Sequence, residues 1–171
     1  MLKRAILFRE QINREMSRVC DDPRCRFYTF RYWDMNVTID NDNWSRHQFA
    51  SVDKNDNVMG YISSNVDQKA HFISQISMIR FMDNKYTAFA LDIKNFFLLM
   101  FNDYKYRKAC FTLLVGSPHE KMYDRFMEKY GGRVVGIFKE HTALPNGQIC
   151  DEKSYEIFRQ PFLSHILGME L

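Results

Sequence analysis

The run Val52-Asp53-Lys54-Asn55-Asp56-Asn57-Val58-Met59-Gly60-Tyr61-Ile62 decides how the rest of the chain is read. Five polar residues separate two apolar stretches, and Asp and Asn are the residues whose short side chains bond their own backbone in turns. The turn therefore joins two strands, over 47–52 and 58–65, into an antiparallel hairpin.

C-terminal to the hairpin, Asp67-Gln68-Lys69 leads into a third strand over 72–81. A long helix follows: Phe89, Ile93, Phe96, Phe97, Met100, Phe101 and Tyr104 fall at i, i+4, i+7, i+8, i+11, i+12 and i+15. Such a stripe buries one face completely. The apolar run 108–115 reads as a strand covered on both faces. Gly116 breaks it, and a second helix starts with Ser117 as N-cap, Pro118 at the first helical position and Glu120 completing a capping box. That helix turns Met122, Tyr123, Phe126 and Tyr130 inward and stops at Gly131-Gly132, suited to a left-handed cap. A strand over 133–141, the turn Pro145-Asn146-Gly147 and a strand over 149–158 close the chain as a second hairpin.

N-terminal to the first hairpin, Phe8, Ile12, Met16 and Val19 recur at helical spacing, with a strand over 4–9 as the alternative for the first turns; the helix ends near Asp22-Pro23. The segment 24–33 interleaves three Arg with five aromatics and is ambiguous, and Asp40-Asn41-Asp42-Asn43 is a loop. The order is helix, three meandering strands, helix, strand, helix, hairpin. This describes a single-domain α/β protein over residues 1–171, with a mixed, mostly antiparallel sheet.

Composition limits the function. Of the 171 residues, 46% are apolar and 26% charged, which excludes disorder. Lys+Arg 24 against Asp+Glu 21 gives +3, too small an excess to argue for nucleic acid. The Arg-aromatic segment 24–33 could stack bases, but such a run is more often a half-buried element with a solvated Arg face, and nucleic acid is not expected at this net charge. Five His show no i, i+4 pairing, so a metal site is not expected. Cys20, Cys25, Cys110 and Cys150 form no C-x-x-C pair and read as reduced thiols, Cys110 as a buried one. The N-terminal apolar run is too short for a signal peptide, and 96–101 is too short for a membrane span, so a cytoplasmic protein with no membrane association is expected.

This element order, with the hairpin quoted first, resembles the GNAT-type N-acetyltransferases from about Trp44 to Phe158. The resembling pieces include an acidic turn followed by Gly60-Tyr61-Ile62, and Glu128-Lys129-Tyr130-Gly131-Gly132 closing a helix. Asn146-Gly147 and Tyr155-Glu156-Ile157 resemble the family's final hairpin. Gly116-Ser117-Pro118 with Lys129-Tyr130-Gly131-Gly132 is similar to divergent members carried by phages and low-GC Gram-positive bacteria. The resemblance implies splayed central strands flanked by helices, acetyl-CoA as cosubstrate, and direct acetyl transfer to a small-molecule or protein amine. It also allows a homodimer.

The resemblance also implies site residues. The pantetheine arm would lie along Met78, Ile79 and Arg80, and the pyrophosphate in the turn Lys85-Tyr86-Thr87-Ala88-Phe89-Ala90, where Lys85, Ala88 and Ala90 stand at the family's positions. Anion capture there uses the unpaired N–H groups of a helix start. The family's small residues let phosphate approach; here Ala replaces the first Gly and Phe89 is bulky, so an ordinary strand-to-helix connection is the alternative. Ser117 stands where the family has Asn, and it serves equally as a plain cap. Tyr123 is the candidate to protonate the leaving thiolate; counting back from Gly131 puts Met127 there instead, and Tyr123 can also be read as core. The strand over 72–81 carries no carboxylate to act as the family's base. A non-catalytic interaction module on the same fold is the rival reading.

Overall fold

Asp53 closes the first turn as the sequence predicts: its Oδ1 accepts the N–H groups of Asn55 and Asn57 at 2.8 and 3.0 Å. The computed structural model describes residues 1–20, 22, 25–27, 37–81, 86–144 and 146–168. Its elements are β1 (Leu2–Arg4), α1 (Arg9–Cys20), β2 (Arg46–Val52), β3 (Val58–Asp67), β4 (Phe72–Arg80), α2 (Tyr86–Leu98), β5 (Lys108–Leu114), α3 (Glu120–Lys129), β6 (Gly132–Ala143), β7 (Ile149–Phe158) and α4 (Arg159–Leu167). The strands hydrogen-bond in the order β1-β2-β3-β4-β5-β7-β6. Register is antiparallel for β1–β2, β2–β3, β5–β7 and β6–β7, and parallel at Ile73↔Ala109 between β4 and β5. The mixed, mostly antiparallel α/β architecture expected from the sequence is therefore present.

The packing forms two compact units, Met1–Val66 with Ser77–Phe97, and Asp67–Ile76 with Leu98–Leu171. In the first, every residue of β2 after Arg46 is buried, because the strand is covered on both faces. Ala50 and Val52 join Ile12, Met16 and Val19 of α1 in one cluster, while Phe49 meets Phe96 of α2 edge-on at 6.0 Å. Gly60 is required by close approach: a Cβ there would lie 2.4 Å from the ring of Phe89 and 2.6 Å from the Ile79 carbonyl oxygen. Gln48 anchors the preceding loop, its Nε2 donating to the Thr38 carbonyl and the Tyr61 hydroxyl, both at 2.8 Å.

In the second unit, Phe111 of β5 stacks on Tyr155 of β7 at 5.1 Å and meets Tyr123 of α3 edge-on at 5.5 Å. Gly131 has φ +72, the left-handed cap foreseen for α3. Tyr130 and Phe101 both pack on Phe162 at 5.3 Å.

Several expectations are corrected. The sequence analysis missed β1 and α4. α1 starts at Arg9, after β1 and a 3₁₀ turn over Ala5–Phe8, so of the extended alternative over 4–9 only Arg4 is in a strand. The stripe of α2 runs true to Phe101, but Tyr104 is exposed and Tyr106 is buried in its place. The helix widens into a π turn at Leu99–Asp103, with the Tyr104 N–H bonded to the Leu99 carbonyl, which rotates the following side chains out of helical phase. β5 alternates rather than burying both faces, and Cys110 is half-buried. On α3 the buried residues are Tyr123 and Met127, with Met122 and Phe126 half-buried and Tyr130 buried at the C-cap. Pro23, Lys85, Pro145 and most of segment 24–33 lie outside the described residues.

Candidate active site

In the first unit the predicted residues lie on the end of β4 and the start of α2. Ile79 is buried, and Met78 and Arg80 are half-buried. Upstream on the same strand Gln75 has φ +48, a left-handed conformation that a strand residue other than glycine rarely adopts. Such a break redirects a strand and disturbs its ladder. No composition or periodicity signal marks Gln75, and the sequence reading missed it.

The first turn of α2 contains no acidic residue. Thr87 and Ala88 are exposed and Ala90 is half-buried. Phe89, the bulky departure from the family turn, is 4% exposed because its ring rests on Gly60. The bulk is thereby turned into the core, and the start of α2 presents small side chains to solvent. Lys85 lies outside the described residues. Further along α2, buried Asp92 accepts hydrogen bonds from the Ser51 hydroxyl at 2.7 Å and the Met1 ammonium at 2.6 Å.

In the second unit, Ser117 and Tyr123 flank the start of α3. The Ser117 Oγ accepts the His119 N–H at 3.3 Å, and Glu120 Oε2 accepts the Gly116 N–H at 2.8 Å. The capping box expected at Ser117 does not form: α3 begins at Glu120 with His119 at its N-cap and no side-chain cap bond, so Pro118 is not its first residue, and Ser117–His119 form a turn ahead of the helix that Glu120 closes on the Gly116 N–H. Ser117 is buried, and the Tyr123 ring is 5% exposed against Phe111. Tyr123 and Met127 are both buried on one face of α3.

Two charged networks sit on β7. Lys153 pairs with Glu120 and Asp124, and the Tyr155 hydroxyl donates to Asp124 at 2.8 Å. Burial raises the Tyr155 phenol far above its ordinary range, and the hydrogen bond to Asp124 adds to this, so it stays protonated. Burial works against the charge on Lys153, but its bonds to Glu120 and Asp124 outweigh it and hold the ammonium up. Burial likewise raises the Glu156 carboxyl, and its bonds to Lys108 and Arg133 reverse that to a net lowering. Among the described residues, no three His, Cys, Asp or Glu group as a metal site, and no helix is long and apolar enough to cross a membrane.

No protein-family model and no curated protein matches the amino-acid sequence. Solved structures do match in fold. A chimera of the spermidine N-acetyltransferase SpeG from Vibrio cholerae and hSSAT superposes with a TM-score of 0.74 at 16% identity, over 95% of this chain and 97% of that one. A phenylalanine-to-alanine mutant of Vibrio cholerae SpeG gives 0.73 at 16% identity over 99% of each chain. The spermidine/spermine N-acetyltransferase SpeG from the same organism, in complex with manganese ions, gives 0.61 at 17% identity over 75% and 72%. The chain has the fold of the GNAT-type N-acetyltransferases.

Proposed function

We propose that the chain is an acetyl-CoA-dependent N-acetyltransferase, a divergent GNAT-type enzyme working as one acyltransferase-like domain, which moves an acetyl group directly onto an amine. One observation carries the reading beyond fold. The start of α2 has an acid-free first turn with Thr87 and Ala88 exposed and Phe89 packed away on Gly60. A helix start of this kind fits a pyrophosphate, because the first N–H groups of a helix and the positive end of its dipole attract an anion, and the small exposed side chains of Thr87 and Ala88 leave it room.

In this reading, acetyl-CoA supplies the thioester. Backbone groups of Met78, Ile79 and Arg80 hold the pantetheine arm, Ala88 and Ala90 leave room for the phosphates, and Lys85 adds a positive charge. The Ile79 N–H polarises the carbonyl. The amine attacks directly, so positioning supplies most of the acceleration. The Tyr123 hydroxyl gives its proton to the departing thiolate and is reprotonated through water by the proton the acylated nitrogen loses, with Ser117 holding the turn ahead of α3. Polyamines are the first acceptors to test, since the neighbours act on spermidine.

The rival, a binding module without turnover, draws on the absence of a carboxylate from the stretch 72–81. Thermal-shift titration with acetyl-CoA and coenzyme A, followed by a thiol-release assay over an amine panel, separates the two. Binding to the folded state raises its stability. No stabilisation at millimolar ligand overturns the proposal, and stabilisation without thiol release under any amine favours the rival.

A further inference from the structure

β7 carries three carboxylates, and two of them are matched by cations. Asp151 pairs with Lys139 at 2.7 Å, and Glu156 with Lys108 and Arg133 at 3.0 and 2.6 Å. Glu152 is the exception. It is half-buried, and its Oε2 accepts the Thr142 hydroxyl at 2.7 Å. Among the described residues no Lys or Arg pairs with it.

The strand period sets what surrounds Glu152. α3 packs on the face of β7 that carries Lys153 and Tyr155, so Glu152 points to the opposite face. There it stands in register between Leu114 of β5 and Phe138 of β6. Leu114 is buried, whereas Phe138 is 51% exposed. The register of β6 on β7 then skips from Phe138↔Glu152 to Thr142↔Cys150, so Lys139, Glu140 and His141 stand against Asp151 alone. Asp151 pins this bulge by taking the Lys139 ammonium and the Glu140 N–H. Bulges re-aim the side chains around them. Here the Thr142 hydroxyl reaches Glu152, and the His141 ring comes to 5.1 Å from that of Phe138. The result is a carboxylate without a cation, held beside a half-exposed aromatic ring.

We propose that Glu152 and the Phe138 ring bind a protonated primary amine. An ammonium supplies the charge that Glu152 lacks and donates to its oxygens, and an aromatic ring attracts it through the ring quadrupole. A hard metal ion needs more oxygen ligands than Glu152 and Thr142 provide. An ammonium held as a cation has no lone pair with which to attack a thioester. In the acetyl-transfer reading the bound group is therefore the unreacting end of an acceptor with two amines. That assignment rests on the acetyl-transfer reading, whereas the site does not.

Titration of the parent chain with 1,4-diaminobutane, followed by amide NMR up to about 20 mM, tests the site, since one partly exposed ion pair gives at most millimolar affinity. Saturable shifts should gather at Phe138, His141, Thr142 and Glu152, and added salt should weaken them. Glu152→Gln keeps an acceptor for the Thr142 hydroxyl and removes only the charge, so it should weaken binding at least about tenfold with a native spectrum. Phe138→Leu should weaken it roughly two- to fivefold. The uncharged butane-1,4-diol should give no shifts there. No shifts with the diamine, shifts indifferent to Glu152→Gln, or equal shifts with the diol each overturn the site. With acetyl-CoA present, Glu152→Gln should also cut the preference in kcat/KM for 1,4-diaminobutane over butylamine at least about tenfold. An unchanged preference overturns the acceptor assignment and makes the cation a ligand that does not react. Diamine binding that depends on Glu152 in a chain that acetyl-CoA fails to stabilise would remove the acetyl-transfer reading and leave the site standing.

Discussion

α2 and α3 both follow a strand and bury an aromatic face, yet their first turns are opposite in character. The turn ahead of α3 is closed by side chains, with Glu120 on the Gly116 N–H and Ser117 on the His119 N–H, and Glu120 itself stands in the first turn of α3. The first turn of α2 has no acidic residue and exposes Thr87 and Ala88. Donors that already hold a carboxylate are poor hosts for a second anion, whereas an open helix start invites one. On the proposed reading, α2 receives the phosphate and α3 presents its buried face, Tyr123 included.

The largest expected effect breaks that contrast at α2. Ala88→Asp places a carboxylate at the open start, adding bulk and like charge where the pyrophosphate belongs. Coenzyme A binding by calorimetry should fall below detection, with a native circular-dichroism spectrum because Ala88 is exposed. Unchanged affinity would move the phosphate site away from α2.

Tyr123→Phe probes the other helix. It removes one hydroxyl and keeps the edge contact with Phe111. Loss of a general acid should lower kcat by roughly 10² to 10⁴ with acetyl-CoA affinity and melting temperature little changed. Normal turnover would remove the hydroxyl from the reaction, and a large drop in melting temperature would assign Tyr123 to packing instead.

The two units also differ in how they treat buried titratable groups. In the first, His47 is fully buried on β2, and burial depresses its pKa from 6.5 to about 4 although Asp42 pulls the other way. The unfolded chain therefore takes up the proton first. Stability is full above pH 6.5 and declines as pH falls towards 4, by roughly 3 kcal/mol over that window. In the second unit Glu156 is kept charged by Lys108 and Arg133, with its folded pKa below 4.5. Its contribution is full above pH 4.5 and is lost as pH falls through the lowered folded value. Hydrogen exchange from pH 7 to pH 4 should show amides of β2 and β3 losing protection before those of β5 and β7. His47→Leu should flatten the acid slope in the upper window; an unaltered slope would show that another group controls it.

The same contrast explains what the sequence could reveal. β2, β3 and the long stripe of α2 were legible because turn chemistry and apolar period agree there, and β7 was read to the residue over Ile149–Phe158. The Ser117 turn was legible only as a break: the residues that turn the chain are local, but α3 begins three residues later, at Glu120, without the capping box. Gln75 was not, because a left-handed residue within a strand has no local sequence rule unless it is glycine. β1 was missed because its three residues carry no period. α4 was missed because Pro161 near its start resembles a break, although proline is tolerated in a first turn. The fate of Phe89 depended on Gly60, 29 residues away in sequence, and only packing joins them. What sets α2 apart from α3 was thus half readable: the missing acid in the first turn is written in the residues, but the inward turn of the Phe89 ring is not.

The smallest effect opens α3 instead of closing α2. Glu120→Ala removes the acceptor of the Gly116 N–H and one of the two carboxylates on Lys153, which keeps Asp124. Loss of such a cap costs about 1 kcal/mol, which for a chain of this length lowers the melting temperature by roughly 2–4 °C. The side chain of Ser117 still covers the His119 N–H, so the start of α3 is only partly opened. If α2 alone hosts the phosphates, coenzyme affinity should stay within about twofold of the parent even though a backbone N–H ahead of α3 has been freed. A matched loss of affinity would show that the order Glu120 imposes on the Ser117 turn reaches the coenzyme, and the two helix starts would then act together rather than divide the work.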